Sequence, residues 1–198
     1  MDTNIQTIYQ KTIDFAAEKH GKQKMPNGLP YIVHLSNVAM EVFMAHKQKP
    51  DFNLEIAIQL ALLHDVLEDT ALSFKALEDD FGNAVAMGVL ALTKDSTLDK
   101  KDQMDDSLNR ILDLSREVAI VKLCDRITNL QNPPIKWDNA KIKKYHLQAI
   151  QIAERLEGIH LLMIALLHLH LLLMFLIVEH LLRYLQTLQC FLDLPSRF

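Results

Sequence analysis

The chain has 198 residues, 49% hydrophobic and 23% charged, with a formal net charge of −4 and an isoelectric point near 6.1. That length suits one domain with a sizeable core, and the slightly acidic balance argues against nucleic acid as the main partner, which would call for a basic footprint. The two cysteines, Cys124 and Cys190, have neither the spacing of a thiolate zinc site nor the number of a disulfide framework, which points to a reducing, cytoplasmic setting.

Residues 1–17 are polar and amphipathic, unlike a secretory signal. Apolar positions Ile5, Ile8, Ile13, Phe15, Ala16 and Ala17 recur at helical spacing up to His20, and a basic Gly/Pro-containing segment over 21–30 then breaks the pattern. Helical periodicity returns over 31–46, with His34 near its start, and stops at Pro50-Asp51. The stretch 54–67 is almost wholly apolar after Glu55, which predicts a central helix covered on most sides. A loop and short helix follow over 70–81, then an apolar helix over 84–93 and a charged segment over 94–106 that reads as a solvated loop. Two further helices are predicted over 108–114 and 118–129. Pro133-Pro134 stops the second, and a long amphipathic helix over 136–157 carries Lys141, Lys143, Lys144 and Tyr145.

The last 41 residues are different material: 158–178 contain no Asp, Glu, Lys or Arg, and fourteen leucines fall between Leu161 and Leu192. A run of about twenty uncharged residues meets the length criterion for a membrane span. His160, His168 and His170 lie inside it, however, and Glu179, Arg183 and Asp193 follow closely. Three readings stay open: a buried or homo-oligomerising helix, which is favoured, a membrane-associated segment, or a tail not native to the original fold.

The chemistry concentrates at the end of the central apolar helix, where His64, Asp65, Glu68, Asp69 and Thr70 interrupt the run. A buried imidazole or carboxylate is costly unless a metal, a partner or water satisfies it. On a continuous helix His64 and Glu68, like Asp65 and Asp69, are four apart, so the four side chains would share one face. Asp125, with Asn129 four residues on, repeats the theme of an apolar helix followed by a carboxylate. Taken singly, a histidine in an apolar run is more often a hydrogen-bonded core residue than a ligand. Together, His34, His64, Asp65 and Asp125 make a mixed N/O set that suits Mn²⁺, Fe²⁺, Co²⁺ or Zn²⁺ better than Ca²⁺.

These residues, in the order His34, His64-Asp65, Asp125, resemble the H…HD…D signature of the HD-domain metal-dependent phosphohydrolases. The words Gly28–His34, Ala61–Thr70, Phe81-Gly82, Leu92-Thr93-Lys94 and Val121–Leu130 are similar to the hydrolase domain of RelA/SpoT proteins and the small alarmone hydrolases. The resemblance covers about residues 5–157. It implies an all-α HD-domain helical bundle, taken over 1–157; the leucine-rich C-terminal helix or tail over 158–198 is additional to it and has no role assigned. The resemblance further implies one Mn²⁺ held by His34, His64, Asp65 and Asp125, with Glu68 and Asp69 orienting or activating the attacking water. The expected reaction is removal of the 3′-pyrophosphate from guanosine polyphosphates, (p)ppGpp.

For the substrate the resemblance implies Asn129 near sugar and phosphates. Lys22, Lys24, Lys94, Lys141, Lys144 and Tyr145 are the candidates for phosphate recognition, although each lysine taken singly is more often an ordinary surface charge. Where the family carries an arginine that packs on guanine, this chain has Met25 beside Lys24; Met can stack on a base without charge, and Lys24 supplies charge without a planar guanidinium. The alternatives are an HD phosphohydrolase for another nucleotide (NADPH, a dNMP or a dNTP) and a non-catalytic nucleotide-sensing module.

Overall fold

The computed structural model describes residues 4–131 and 138–156. At its centre lies α3 (Leu54–Leu63), in which Ala57, Ile58, Leu60, Ala61, Leu62 and Leu63 are fully buried. A helix apolar on all sides needs neighbours all round. They are α1 (Ile5–His20), α2 (Ile32–Gln48), α6 (Asn83–Leu92) and α8 (Arg116–Gln131). Asn53 fixes where α3 begins, its side chain accepting from the Ile56 amide at 3.2 Å. Its own amide donates to Glu117 Oε1 at 2.7 Å, tying this end to the start of α8.

Periodicity predicts one helix through Leu67, but α3 ends at Leu63 and a separate turn, α4 (Val66–Asp69), follows His64-Asp65. The His64 ring supplies the reason. Its Nδ1 donates to the Ala61 carbonyl at 2.9 Å, the acceptor that the Asp65 amide would meet in an unbroken helix. Asp65 accordingly takes φ −104° and ψ 0°, in the bridge region. The shared-face geometry of a continuous helix therefore does not apply, and the break sends the doublet and the Glu68-Asp69 pair into one cleft by a different route.

The remaining elements are α5 (Phe74–Phe81), α7 (Gln103–Leu112) and α9 (Asn139–Arg155). Among the described residues there is no strand, only an isolated bridge between Lys24 and Pro30, as expected for an all-α domain. α7 starts five residues earlier than predicted, inside the charged segment. Met104, Ser107, Leu108 and Ile111 are buried on one face while Asp105, Asp106, Asn109 and Arg110 take the other. Ser107 Oγ donates to the Ala91 carbonyl at 2.7 Å and Arg110 Nη2 to the Thr93 carbonyl at 2.8 Å, so α7 closes the C-terminal end of α6. α9, capped by Asp138, lays Ala149, Ile152, Ala153 and Leu156 into the core and packs on α8. Pro133-Pro134, Trp137 and the segment 158–198 lie outside the described residues. No helix among those described is long and apolar enough to cross a membrane.

Gly88 sets how closely α6 approaches its neighbours, because a Cβ there would meet Leu60 Cδ2 at 2.5 Å and Val118 Cγ2 at 3.2 Å. Gly88→Val is expected to destabilise the fold by about 1–3 kcal/mol through overpacking. Equilibrium urea unfolding would read this as a lower midpoint at unchanged slope.

Candidate active site

Three helices meet where the predicted ligands converge. α2 brings His34 from its first turn, the end of α3 brings His64-Asp65, and α8 brings Asp125. His34 Nε2 lies 3.3 Å from Asp125 Oδ1, and His64 Nε2 lies 3.8 Å from the same oxygen. One ligand atom each from His34, His64 and Asp125 can be chosen so that all lie within 4.8 Å of one another. Donors about 2.1 Å from one ion stand about 3–4 Å apart, so the trio is near that spacing. Asp65 adjoins it: its Oδ2 is 3.0 Å from His64 Nε2 and accepts a short hydrogen bond from the Tyr31 hydroxyl.

The His64 ring has the orientation that a metal ligand would need. Because a carbonyl only accepts, Nδ1 must carry a proton toward Ala61, and the neutral ring then offers the lone pair of Nε2 to the cluster. Nε2 is buried and has no hydrogen-bond partner among the described residues; its approach to Asp65 is close but poorly aligned. An orphaned buried nitrogen facing two carboxylates fits a divalent cation.

The electrostatics say the same. Burial alone would push the His64 pKa down, yet the adjacent Asp65 and Asp125 carboxylates outweigh it and bring it up to about 9. Burial likewise works to raise Asp65, but His64 and the Tyr31 hydrogen bond hold it at about 2. For Asp125, His34, His64 and Lys122 overcome burial and keep the carboxyl well below the usual range. Burial beside Asp65 pushes the Tyr31 hydroxyl far up, so it stays a donor.

A cleft of about 230 Å³ opens over this cluster. Glu68 and Asp69 stand in its wall, each held. Glu68 accepts from Lys94 twice, from Nζ at 2.7 Å and from the amide at 3.2 Å. Asp69 Oδ2 accepts from Gln23 Nε2 at 2.8 Å, and Gln23 Oε1 in turn meets His20 Nδ1 at 2.8 Å. Of the expected substrate contacts, Met25, Lys94, Asn129 and Tyr145 line the cleft. Asn129 has a local partner as well, its Nδ2 donating to Asp125 Oδ1 at 2.6 Å. Lys141 and Lys144 line an adjoining hollow together with Lys94, Tyr145 and Gln148. Lys24 is exposed, its backbone engaged in the bridge to Pro30, and it is not among the residues lining the cleft.

Sequence reasoning passed over Tyr31, Gln23, Lys122 and Arg126. The last two carried a readable signal. Lys122 and Arg126 are cations inside an apolar helix at the same one-turn spacing that singles out His64 and Glu68.

Helices of this order, with two histidines and two carboxylates gathered from three of them, define the HD-domain class. The model of the family described as HD domain matches residues 12–157, and the chain belongs to that family, in its RelA/SpoT-type hydrolase branch. The zebrafish (Danio rerio) guanosine-3′,5′-bis(diphosphate) 3′-pyrophosphohydrolase MESH1 is 34% identical over 164 residues, 80% of this chain and 89% of its own. The human MESH1 is 34% identical over 151 residues, 73% of this chain and 82% of its own. Among solved structures, a metazoan orthologue of SpoT described as hydrolysing ppGpp superposes with TM-score 0.70 at 28% identity, covering 82% of this chain and 93% of that one.

With a pKa near 9, His64 carries a proton at pH 7.5 in the metal-free protein, and a cation bound through its Nε2 would have to displace it. Mn²⁺ binding is therefore expected to release about one proton at that pH, and to tighten by up to about tenfold per pH unit as pH rises toward 9. Calorimetry in buffers of different ionisation enthalpy reads the proton count directly, and a count of zero would contradict the assignment.

Proposed function

We propose that the protein is a metal-dependent (p)ppGpp 3′-pyrophosphohydrolase that uses Mn²⁺. The observation that carries this reading is His64, with Nδ1 tied to Ala61 and Nε2 left buried without a hydrogen-bond partner among the described residues, beside His34 and Asp125 at the floor of the cleft. Relatives named as guanosine-3′,5′-bis(diphosphate) 3′-pyrophosphohydrolases, which match most of the chain, supply the substrate.

In this reading His34, His64, Asp65 and Asp125 hold the ion. When bound, it lowers the pKa of water and withdraws charge from a phosphoryl oxygen. Asn129 and Tyr31 each donate to one of the carboxylates, Asp125 and Asp65, and so fix their rotamers. Glu68 and Asp69 orient the attacking water and accept its proton, with Lys94 and Gln23 keeping the two carboxylates in place. The water oxygen bonds to the phosphorus carried on O3′. The O3′–P bond breaks with its electron pair on O3′, which takes up a proton, and pyrophosphate leaves the nucleotide. Met25 and Tyr145 supply apolar and aromatic surface for the nucleoside at the cleft wall.

The two jobs separate by mutation. Asp125→Ala is expected to lose both bound metal and turnover, whereas Glu68→Ala keeps the metal and loses about 100-fold or more in kcat. Metal content by mass spectrometry and ppGpp hydrolysis, with NADPH, dNMPs and dNTPs as comparison substrates, check both. Full activity in Glu68→Ala would remove its assigned role, and preferential turnover of another nucleotide would replace ppGpp as substrate.

A further inference from the structure

The mechanism above gives two buried cations no contact with the substrate. Lys94 is paired with Glu68, but Lys122 and Arg126, only 6% and 5% exposed, also line the cleft. Both stand on α8 beside Asp125, Lys122 three residues before it and Arg126 one after. Arg126 is the more telling. Its guanidinium carbon lies 4.9 Å from the centroid of the Tyr145 ring, so one face is covered by an aromatic platform. Stacking satisfies the face and not the N–H groups, and Arg126 Nε and Nη1 are buried with no hydrogen-bond partner among the described residues. Leaving such donors unmet is costly unless an oxyanion arrives to meet them.

Which anion follows from what the cations surround. Lys122 is within electrostatic reach of Asp65 and Asp125 at the metal end, and of Lys94 and Arg126 on the cationic side. An anion seated on Lys122 and Arg126 is thus a near neighbour of the reacting phosphorus. Nothing in the polyphosphate lies closer to that phosphorus than the phosphate one P–O–P link away.

We propose that Lys122 and Arg126 form the seat for the distal phosphate of the 3′-pyrophosphate, making them specificity determinants for a diphosphate leaving group. This rests on the function proposed above. Cleavage at O3′–P releases pyrophosphate with its P–O–P link intact, so the seat holds the same phosphate before and after the step. Inorganic pyrophosphate is therefore a ligand of the free site, and orthophosphate, which cannot reach the metal end and the seat together, is a poor one.

The test titrates the full-length, Mn²⁺-loaded protein with inorganic pyrophosphate and with orthophosphate, checking metal content before and after. Wild type is expected to favour pyrophosphate by about tenfold or more, and Arg126→Gln to lose that preference while Arg126→Lys retains part of it. Lys122→Met provides an independent arm with the same expected loss, should Arg126→Gln not fold. Unchanged pyrophosphate preference in a folded, metal-loaded Arg126→Gln or Lys122→Met would overturn the seat and leave Arg126 as a strut between α8 and α9. The hydrolysis assay separates the two readings: pyrophosphate preference without ppGpp turnover sinks the substrate assignment and keeps the seat, and turnover with no effect of either variant does the reverse.

Discussion

Two carboxylates, Asp65 and Asp125, are held together under an almost wholly apolar helix, and the local architecture answers to that fact. Like charges in a low-dielectric site cannot both stay ionised without positive charge beside them. His34 and His64 stand against them at 3.0–3.8 Å, and the raised pKa of His64 expresses the same demand as a proton retained. A divalent ion meets the demand better, because it brings two charges and takes the lone pair of a ring nitrogen that has no hydrogen-bond partner among the described residues. The break between α3 and α4 belongs to this arrangement. It is made by the hydrogen bond that aims His64 at the cluster, so the ligand geometry and the kink have one cause.

Around that centre the cleft is divided by charge. The acidic pair after the kink is held at arm's length from the histidines by partners from two distant segments, Lys94 after α6 and Gln23 before α2. Tyr31 links the parts. Its ring stacks at an angle between His20 and His34, at centroid distances of 5.0 and 5.4 Å, while its hydroxyl holds Asp65. Opposite these groups, α8 presents its own stripe of Lys122, Asp125, Arg126 and Asn129, so in the proposed reading one helix supplies a ligand, a brace for that ligand and the cations that face the substrate. In that reading binding and chemistry are fixed by the same packed element, with the precision of a helix where a loop would be looser.

Much of this was legible in the amino-acid sequence for a physical reason: polar groups inside an apolar run have to be explained. That reasoning found His64-Asp65 and, with the spacing to His34 and Asp125, the cluster itself. The same reasoning applied to Val118–Ile127 would have found Lys122 and Arg126, which attention to Asp125 and Asn129 overlooked. Other features leave no local trace. The kink depends on a side-chain hydrogen bond to a backbone carbonyl, and periodicity cannot see it. The contact between Gln23 and Asp69 spans 46 residues and exists only once α1, α2 and α4 have packed. The start of α7 was hidden because charge on its outer face masked four buried positions on the inner one. Lys24 and Met25 are neighbours in sequence, yet the turn that bonds the Met25 amide to the Leu29 carbonyl sends them to different surroundings.

The central claim is that water attacks phosphorus at this cluster and expels the nucleotide's O3′. Hydrolysis of ppGpp in ¹⁸O-labelled water, with the products separated and weighed by mass spectrometry, tests it most directly. The account predicts GDP free of label and pyrophosphate carrying one ¹⁸O. Label on the nucleotide, or release of orthophosphate in place of pyrophosphate, would contradict it.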